Sequence, residues 1–294
     1  MHSVIQDIRI ALRGLAATPG FAAVAILTLA IGISANTTIF SAVEVFMFRP
    51  LPFNQPDRLL SLYTANDERG WTQVDFSVAD YTALREQLSS ADVAGYYWDN
   101  LNVSDDRSQP VRLDAMRISH DFFQVLQVPP VLGRSPTADE EQIGTTPSVV
   151  ISHALWNSRY GADPGGLGEL VELDGTMHRI VGVAPEGFWF RQLGIDMWPV
   201  FQFTDGQRQR DAGRWIGPIV RVGDGVSQPA FEGELEAVGA RLAADFPDVN
   251  AGNRFYSISL HSDIFDEGVK IGSAIAMEIL PAAKPPEPTP TPRH

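Results

Sequence analysis

The chain has 294 residues, of which 44% are hydrophobic and 20% charged. This composition suits a folded protein with one large domain or two domains of ordinary size. Its 36 acidic and 22 basic residues give a formal net charge of −14, which argues against nucleic acid as the main partner. The absence of cysteine excludes disulfides, thiolate catalysis and cysteine metal sites.

Residues 1–20 are predicted to form a cytoplasmic amphipathic helix. Apolar residues recur at helical spacing and polar residues take the opposite face, as in a helix that lies in a membrane interface. The apolar face consists of Val4, Ile5, Ile8, Leu12 and Leu15. An ordinary surface helix is the alternative, and the apolar segment that follows favours the interfacial one. Thr18, Pro19 and Gly20 are expected to break the helix.

Residues 21–48 are predicted to be the single transmembrane helix. No charge occurs in 21–43, and about 20 apolar residues cross a bilayer core. Arg9 and Arg13 favour a cytoplasmic N-terminus, which leaves the rest of the chain outside the cytoplasm. A signal peptide cleaved near Ala35 is the alternative. The long segment before the apolar run, and the apolar character beyond that cut, favour a retained anchor.

The next residues predict a strand–helix–strand unit. A proline-rich exit at 49–57 leads to a strand at 58–64, and Ser77 has the position of a helix N-cap. Strands follow at 92–98 and 110–118. The side chains expected to be buried in this helix and in the last strand are Tyr81, Leu84, Leu88, Val111, Leu113 and Ala115.

A strand-rich insert is predicted over about 130–205. It contains a buried strand at 147–152, which leads into a short helix. Residues 170–183 predict a hairpin, because Asp174-Gly175 suits a tight primed turn.

The last third repeats the pattern of the first, with a strand at 215–222, a helix after Ser227 and a strand at 254–260. A strand–helix–strand unit therefore lies on each side of the insert. This predicts the α+β class, with one split unit and a second subdomain inserted into it. Residues 263–294 are predicted to be a proline-rich, disordered tail.

No residue is predicted to be catalytic, cofactor-binding or metal-binding, and the chain is not expected to be an enzyme. The phosphate-binding loop pattern is absent, and the six histidines show no metal spacing. Three weak patterns are interpreted as structural: Ser152-His153, the glycines Gly165, Gly166 and Gly168, and the acidic groups Asp105-Asp106 and Asp139–Glu141. The tryptophans could lie in the core or on a surface that binds a partner, and the core is favoured.

Several motifs in the expected order resemble MacB/FtsX-type ABC transporter permeases, especially the duplicated orphan permeases of acidobacteria. The resemblance covers nearly all of residues 5–262. It is carried by the segments Gly20–Ser41, Arg49–Phe53, Ser119–Leu126, Leu132–Arg134, Val149–Trp156, Leu173–Gly175, Ile180–Val183, Pro185–Phe188 and Phe246–Ala251.

The resemblance implies a first transmembrane helix followed by a MacB-like periplasmic core at 49–262, with a porter-like α+β part and an inserted subdomain. It also implies a plasma-membrane location, contact with membrane lipid, a separate ABC ATPase subunit, and a homodimer or pairing with another permease half. Such permeases are thought to transmit ATP-driven motion to the periplasmic domain. Members handle different substrates, so no substrate follows.

Members of that family continue into three further transmembrane helices, where this sequence has its proline-rich segment. We therefore expect a truncated component of an export or mechanotransmission complex. The alternative is a stand-alone anchored or secreted binding module without transport activity. No pattern of catalytic residues supports the third possibility, an extracytoplasmic enzyme.

Overall fold

The computed structural model describes residues 19–20, 23–24, 26–30, 32–34, 51, 53–105 and 108–266. The chain divides into two units, Met1–Pro50 and Leu51–His294. The described residues of the first unit are helical and exposed. They include Pro19 and Gly20, which were expected to break the helix and are themselves helical. Among the residues described, no helix is both long and apolar enough to cross a membrane. Much of the predicted anchor, like residues 1–18, lies outside the described residues.

The described part of the second unit contains eleven strands in one sheet, together with five α-helices. The strands are β1 (Leu59–Asn66), β2 (Trp71–Val74), β3 (Ala91–Asp105), β4 (Ser108–Ile118), β5 (Leu132–Gly133), β6 (Ser148–Ile151), β7 (Leu170–Leu173), β8 (Thr176–Val183), β9 (Met197–Pro199), β10 (Gly217–Val222) and β11 (Arg254–Ser259). The helices are α1 (Val78–Gln87), α2 (Phe122–Leu126), α3 (His153–Tyr160), α4 (Gln228–Asp245) and α5 (Pro247–Asn250). Residues 260–266, here called the C-terminal segment, are also helical.

Two interlocked strand–helix–strand units form one half of the sheet. The strand order there is β11-β1-β10-β3, and all three neighbouring pairs are antiparallel. The unit β1–α1–β3 therefore encloses β10, and the unit β10–α4–β11 encloses β1. This is the split βαβ arrangement of ferredoxin-like domains. It confirms the α+β class, with the first and last thirds of the chain forming one body.

The strands between these two units continue the same sheet. The order runs on from β3 through β4-β9-β6-β8-β5, and β7 joins both β8 and β3. The junction between β4 and β9 is a short parallel one, at Ala115 and Met197. The strands of the predicted insert are thus attached to the rest of the sheet through the long hairpin of β3 and β4. That hairpin is longer than the predicted strands at 92–98 and 110–118.

Three hydrophobic clusters fill the unit. One packs α1 and α4 against the ferredoxin-like half, with Leu84 and Phe231 fully buried. A second lies among the strands between the two split units, around Leu173 and Met197. The third holds α2 and the aromatic loop before β9 against the sheet, with Phe190 and Trp198 in its centre. This third cluster includes residues from both ends of the domain.

Local signals in the sequence account for several boundaries. The hydroxyl oxygen of Ser77 accepts a hydrogen bond from the Asp80 N–H at 3.1 Å, so this serine caps α1 as predicted. The hydroxyl of Ser227 accepts one from the Ala230 N–H at 3.4 Å and caps the helix that was predicted to follow it. Asp174 and Gly175 have φ values of 46° and 80°, as a type I′ turn requires, and they join β7 to β8.

The predicted burial of β4 is wrong at its outer end. Val111, expected to point inward, is 37% exposed, while Met116 is fully buried. The cause is that most of the outer side of β4 has no neighbouring strand in the described part of the chain. β9 pairs with β4 only at Ala115, so Val111 has a strand partner on one side alone, Val103 of β3.

Candidate functional site

The two ends of the domain meet in one hydrophobic cluster. Leu51 and Phe53, where the chain enters the domain, belong to the same buried cluster as Leu260 and Ile264 of the C-terminal segment. The folded part therefore extends to 266, whereas the tail was expected to start at 263. The rest of that predicted tail lies outside the described residues. We call this meeting point the stem, defined by Leu51–Arg58 and residues 260–266.

A buried ion pair lies beside the stem. Arg191, in the loop between β8 and β9, pairs with Asp263 of the C-terminal segment, and both side chains are only 4% exposed. The same guanidinium donates a hydrogen bond to the Ser61 hydroxyl of β1 at 2.8 Å. Arg191 has a φ of 59°, in the left-handed region that an arginine seldom adopts.

The carboxylate of Asp263 has further donors. The hydroxyl of Tyr63 in β1 donates to its two oxygens at 2.9 and 3.0 Å, and the amide of Gln73 in β2 donates at 3.2 Å. Burial raises the pKa of Tyr63, an effect that Arg191 partly offsets, so the hydroxyl remains a donor at neutral pH. Three elements distant in sequence thus fix one carboxylate.

A cavity of about 410 Å³ opens next to this ion pair. Arg191 and Asp263 form part of its wall, and Asp75 contributes a second carboxylate. Aromatic side chains supply much of the remaining wall. Those rings belong to Tyr63, Tyr96, Tyr97, Trp98 and Trp215. The wall of this cavity therefore combines aromatic rings with charged groups of both signs.

A second buried network connects α1 to the loop before β10 and to α5. Asp80 is 1% exposed, and its carboxylate accepts hydrogen bonds from Arg210 at 3.0 Å, from Arg214 at 2.8 Å and from Asn250 at 2.9 Å. Arg210 also lies over the ring of Phe246, 3.4 Å from its centre. All these partners are satisfied within the fold, so we interpret the network as structural.

A histidine links α2 to the acidic segment at 139–141. The backbone N–H of His120 donates to Glu141 at 2.6 Å, and its Nδ1 lies 2.9 Å from the same oxygen. Arg85 of α1 pairs with Asp121 at 2.6 Å and with Glu141 at 3.5 Å. The hydrogen bond to Glu141 raises the pKa of His120. Burial favours the neutral form of Glu141, yet the bonds from His120 outweigh it and the pKa of Glu141 is lowered.

The weak sequence patterns have structural roles in the fold. The Ser152 hydroxyl caps α3 by accepting from the Leu155 N–H, and His153 instead contacts Asn157 at 3.0 Å, so the two do not form a nucleophile and base. Gly165 and Gly166 lie in a short 3-10 turn that Asp163 caps.

The acidic run is divided between partners, with Glu140 bound to Arg134 at 2.6 Å and Glu141 to His120. Asp106 lies outside the described residues. The tryptophans divide as well. Trp198 is core, whereas Trp98 is 39% exposed at the cavity.

Sequence reasoning did not find Arg191 or Asp263. They lie 72 residues apart with no motif around either. Their meeting depends on the sheet order, which brings β1 beside β11. The one feature of the sequence that marks this loop is the aromatic run Phe188-Trp189-Phe190, which directly precedes Arg191.

Comparisons with known proteins identify the kind of domain. Residues 22–238 match the family model described as the MacB-like periplasmic core domain. None of the curated proteins matches the sequence.

Among solved structures, the fold is similar to a domain from a protein designated a permease in Porphyromonas gingivalis, at 14% identity and a TM-score of 0.52, covering 71% of this chain and 92% of that one. It is also similar to the periplasmic region of MacB from Actinobacillus actinomycetemcomitans, at 14% identity and a TM-score of 0.49, covering 75% and 93%. A third is the extracellular domain of the noncanonical ABC-type transporter YknZ from Gram-positive bacteria, at 12% identity and a TM-score of 0.47, covering 67% and 99%.

Proposed function

Because the chain belongs to the family of MacB-like periplasmic core domains, we propose that it is the membrane-anchored core of an ABC transporter permease subunit, working in an export or mechanotransmission complex. In this proposal the domain is not an enzyme. Residues 21–48 hold it in the lipid of the plasma membrane as a single pass, with the N-terminus in the cytoplasm and the main domain in the periplasm. A separate ABC ATPase supplies the energy. A second copy or another permease half completes the pair.

The stem is the observation that carries this proposal. Leu51 and Phe53 share their cluster with Leu260 and Ile264, so the chain enters and leaves the domain at one place. Leu59 of β1 belongs to the same cluster. Because protein interiors are close-packed, a displacement of the stem is passed to the sheet through direct contact rather than through a slack linker.

The ion pair of Arg191 and Asp263 extends this connection. It ties the C-terminal segment to the loop before β9, which continues into the strands beyond β4. The stem is thereby linked both to the ferredoxin-like half, which is the porter-like part in our proposal, and to the part of the sheet that carries the strand-rich insert. A mechanical role needs such rigid contacts between the membrane side and the body of the domain.

A stand-alone binding module is the second candidate. The observation that favours it is the cavity of about 410 Å³, a volume within the range typical of small-molecule sites, about 300–1,000 Å³. A binding module would use this cavity without an ATPase.

The capture of partners from membranes separates the two candidates. The full chain, tagged at its C-terminus, is expressed in its source organism, crosslinked in intact cells, solubilised and analysed by mass spectrometry. We expect an ABC ATPase subunit to be enriched over a control capture with an unrelated single-pass protein. Repeated recovery of the chain without any ABC ATPase would favour the binding module.

A further inference from the structure

The cavity beside Arg191 and Asp263 has no assigned role in the transport proposal. We propose that it binds a small organic cation, consisting of an ammonium group on a compact apolar body. This inference goes beyond the proposed function and does not depend on it. It is carried by the rings, the charges and the size of the cavity.

Aromatic side chains in the cavity wall pack against one another. Tyr97 and Trp215 pack edge to face, with ring centres 4.6 Å apart and planes at 82°. Tyr96 and Trp98 do the same at 6.4 Å and 81°. Trp98 is 39% exposed, so its ring is open to a ligand. The face of an aromatic ring attracts a cation within about 6 Å, and tryptophan does so most strongly.

The charges of the wall favour the same ligand. Two aspartates, Asp75 and Asp263, stand against one arginine, Arg191, which gives the lining a formal balance of −1. Burial raises the pKa of both Tyr63 and Tyr96, so their hydroxyls add no charge near pH 7. A wall with this formal balance favours a monovalent cation over an anion.

The cavity already contains one contact of the proposed kind. The guanidinium of Arg191 lies 5.3 Å from the ring centre of Tyr96. A ligand cation on Trp98 or Trp215 would repeat this interaction on the open side. The volume of about 410 Å³ suits a small molecule. Since Asp263 also lies in the wall, a bound ligand is expected to stabilise the stem as well.

Choline and its neutral isostere 3,3-dimethylbutan-1-ol test the charge requirement. The full chain is purified in a non-ionic maltoside detergent, because phosphocholine detergents carry the proposed group themselves. Binding is followed by calorimetry, and thermal unfolding is measured in parallel. We expect saturable binding of choline, a higher unfolding temperature with choline, and binding of the alcohol weaker by tenfold or more. No saturable binding of choline, or equal binding of the two compounds, would overturn the proposal.

Two variants locate the site. Trp98→Ala removes an exposed ring and Asp75→Asn removes a charge without changing size, and each is expected to weaken choline binding about tenfold. Trp156→Ala and Asp205→Asn are matched controls away from the cavity and should bind as the wild type does. Because Trp98 is exposed, its variant tests the site even if Asp75→Asn folds poorly. Unchanged affinity in a folded Trp98→Ala protein would show that choline binds elsewhere.

Discussion

The hydroxyl of Tyr63 lies 2.9 Å from the carboxylate of Asp263, although the two residues are 200 positions apart. Tyr63 belongs to β1, the first strand after the proposed anchor, and Asp263 to the last helical residues described. The beginning and the end of the domain are therefore joined by a polar bond as well as by the apolar stem. Arg191 completes this arrangement from the loop before β9.

Removal of the Asp263 charge should destabilise the whole domain. In Asp263→Asn, the guanidinium of Arg191 stays buried without its partner charge, and we expect a loss of about 3–5 kcal/mol in the free energy of unfolding. Urea unfolding of the full chain in detergent measures this. The exposed pair of Asp67 and Arg254, at 3.1 Å, provides the control, and Asp67→Asn should change stability by less than about 1 kcal/mol. Equal small losses in both variants would contradict a buried, coupled pair.

Substitution by alanine at two glycines in open surroundings should change the stability of the domain in opposite directions. At both Gly175 and Gly233, no atom lies within 4 Å of the position that an added Cβ would occupy, so packing does not enter. Gly175 has a φ of 80° in the β7–β8 turn, and Gly175→Ala should cost about 1 kcal/mol. Gly233 lies inside α4, and Gly233→Ala should stabilise by about 0.5–1 kcal/mol. Thermal unfolding of both variants tests the pair, and a shared sign would refute the turn assignment.

Most elements of the fold could be predicted because their signals are local. The caps Ser77 and Ser227 and the turn at Asp174-Gly175 act on their own neighbours through the backbone, so the sequence order is enough to locate them. The pairing of the strands has no such local signal, because the alternating pattern of one strand does not indicate which other strand lies beside it. The enclosure of β10 between β1 and β3 therefore emerged only in three dimensions.

The candidate site could not be predicted for the same reason. Arg191 has a left-handed backbone conformation, which its neighbours in the sequence do not indicate. Asp263 is the first residue of the segment that was predicted to be a disordered tail. Its burial depends on β1 and on the loop before β9, both distant in sequence.

His120 should make stability decline above neutral pH. Its hydrogen bond to Glu141 raises its pKa, so the folded protein holds the proton more tightly than the unfolded chain. This stabilisation is complete below the ordinary pKa of about 6.5 and is lost as the pH rises through the raised value. Urea midpoints should therefore fall as the pH rises above about 6.5, and His120→Gln should flatten that decline. An identical slope in the variant would mean that another group is responsible.

His178 should make the stability of the protein decline below neutral pH. Burial lowers its pKa to about 4, with Arg117 contributing, and its Nδ1 lies 2.9 Å from the Thr176 carbonyl. Between pH 6.5 and 4 the unfolded chain takes up a proton that the folded protein does not, so stability falls with the pH by about 3 kcal/mol in total. His178→Asn retains a donor near Nδ1 and should reduce this loss. The same urea series at pH 4.5–6.5 measures it, and an undiminished acid slope would refute the assignment.

The exposed end of β4 gives a matched pair of substitutions across one rung of the sheet. Val103 of β3 and Val111 of β4 are directly paired, yet Val103 is fully buried and Val111 is 37% exposed. Val103→Thr places a hydroxyl among apolar side chains and should cost about 1–3 kcal/mol. Val111→Thr leaves its hydroxyl in water and should change stability by no more than about 0.5 kcal/mol. Urea unfolding of the two variants compares them directly. Equal losses would mean that β4 is covered along its whole length, as its alternating sequence predicts.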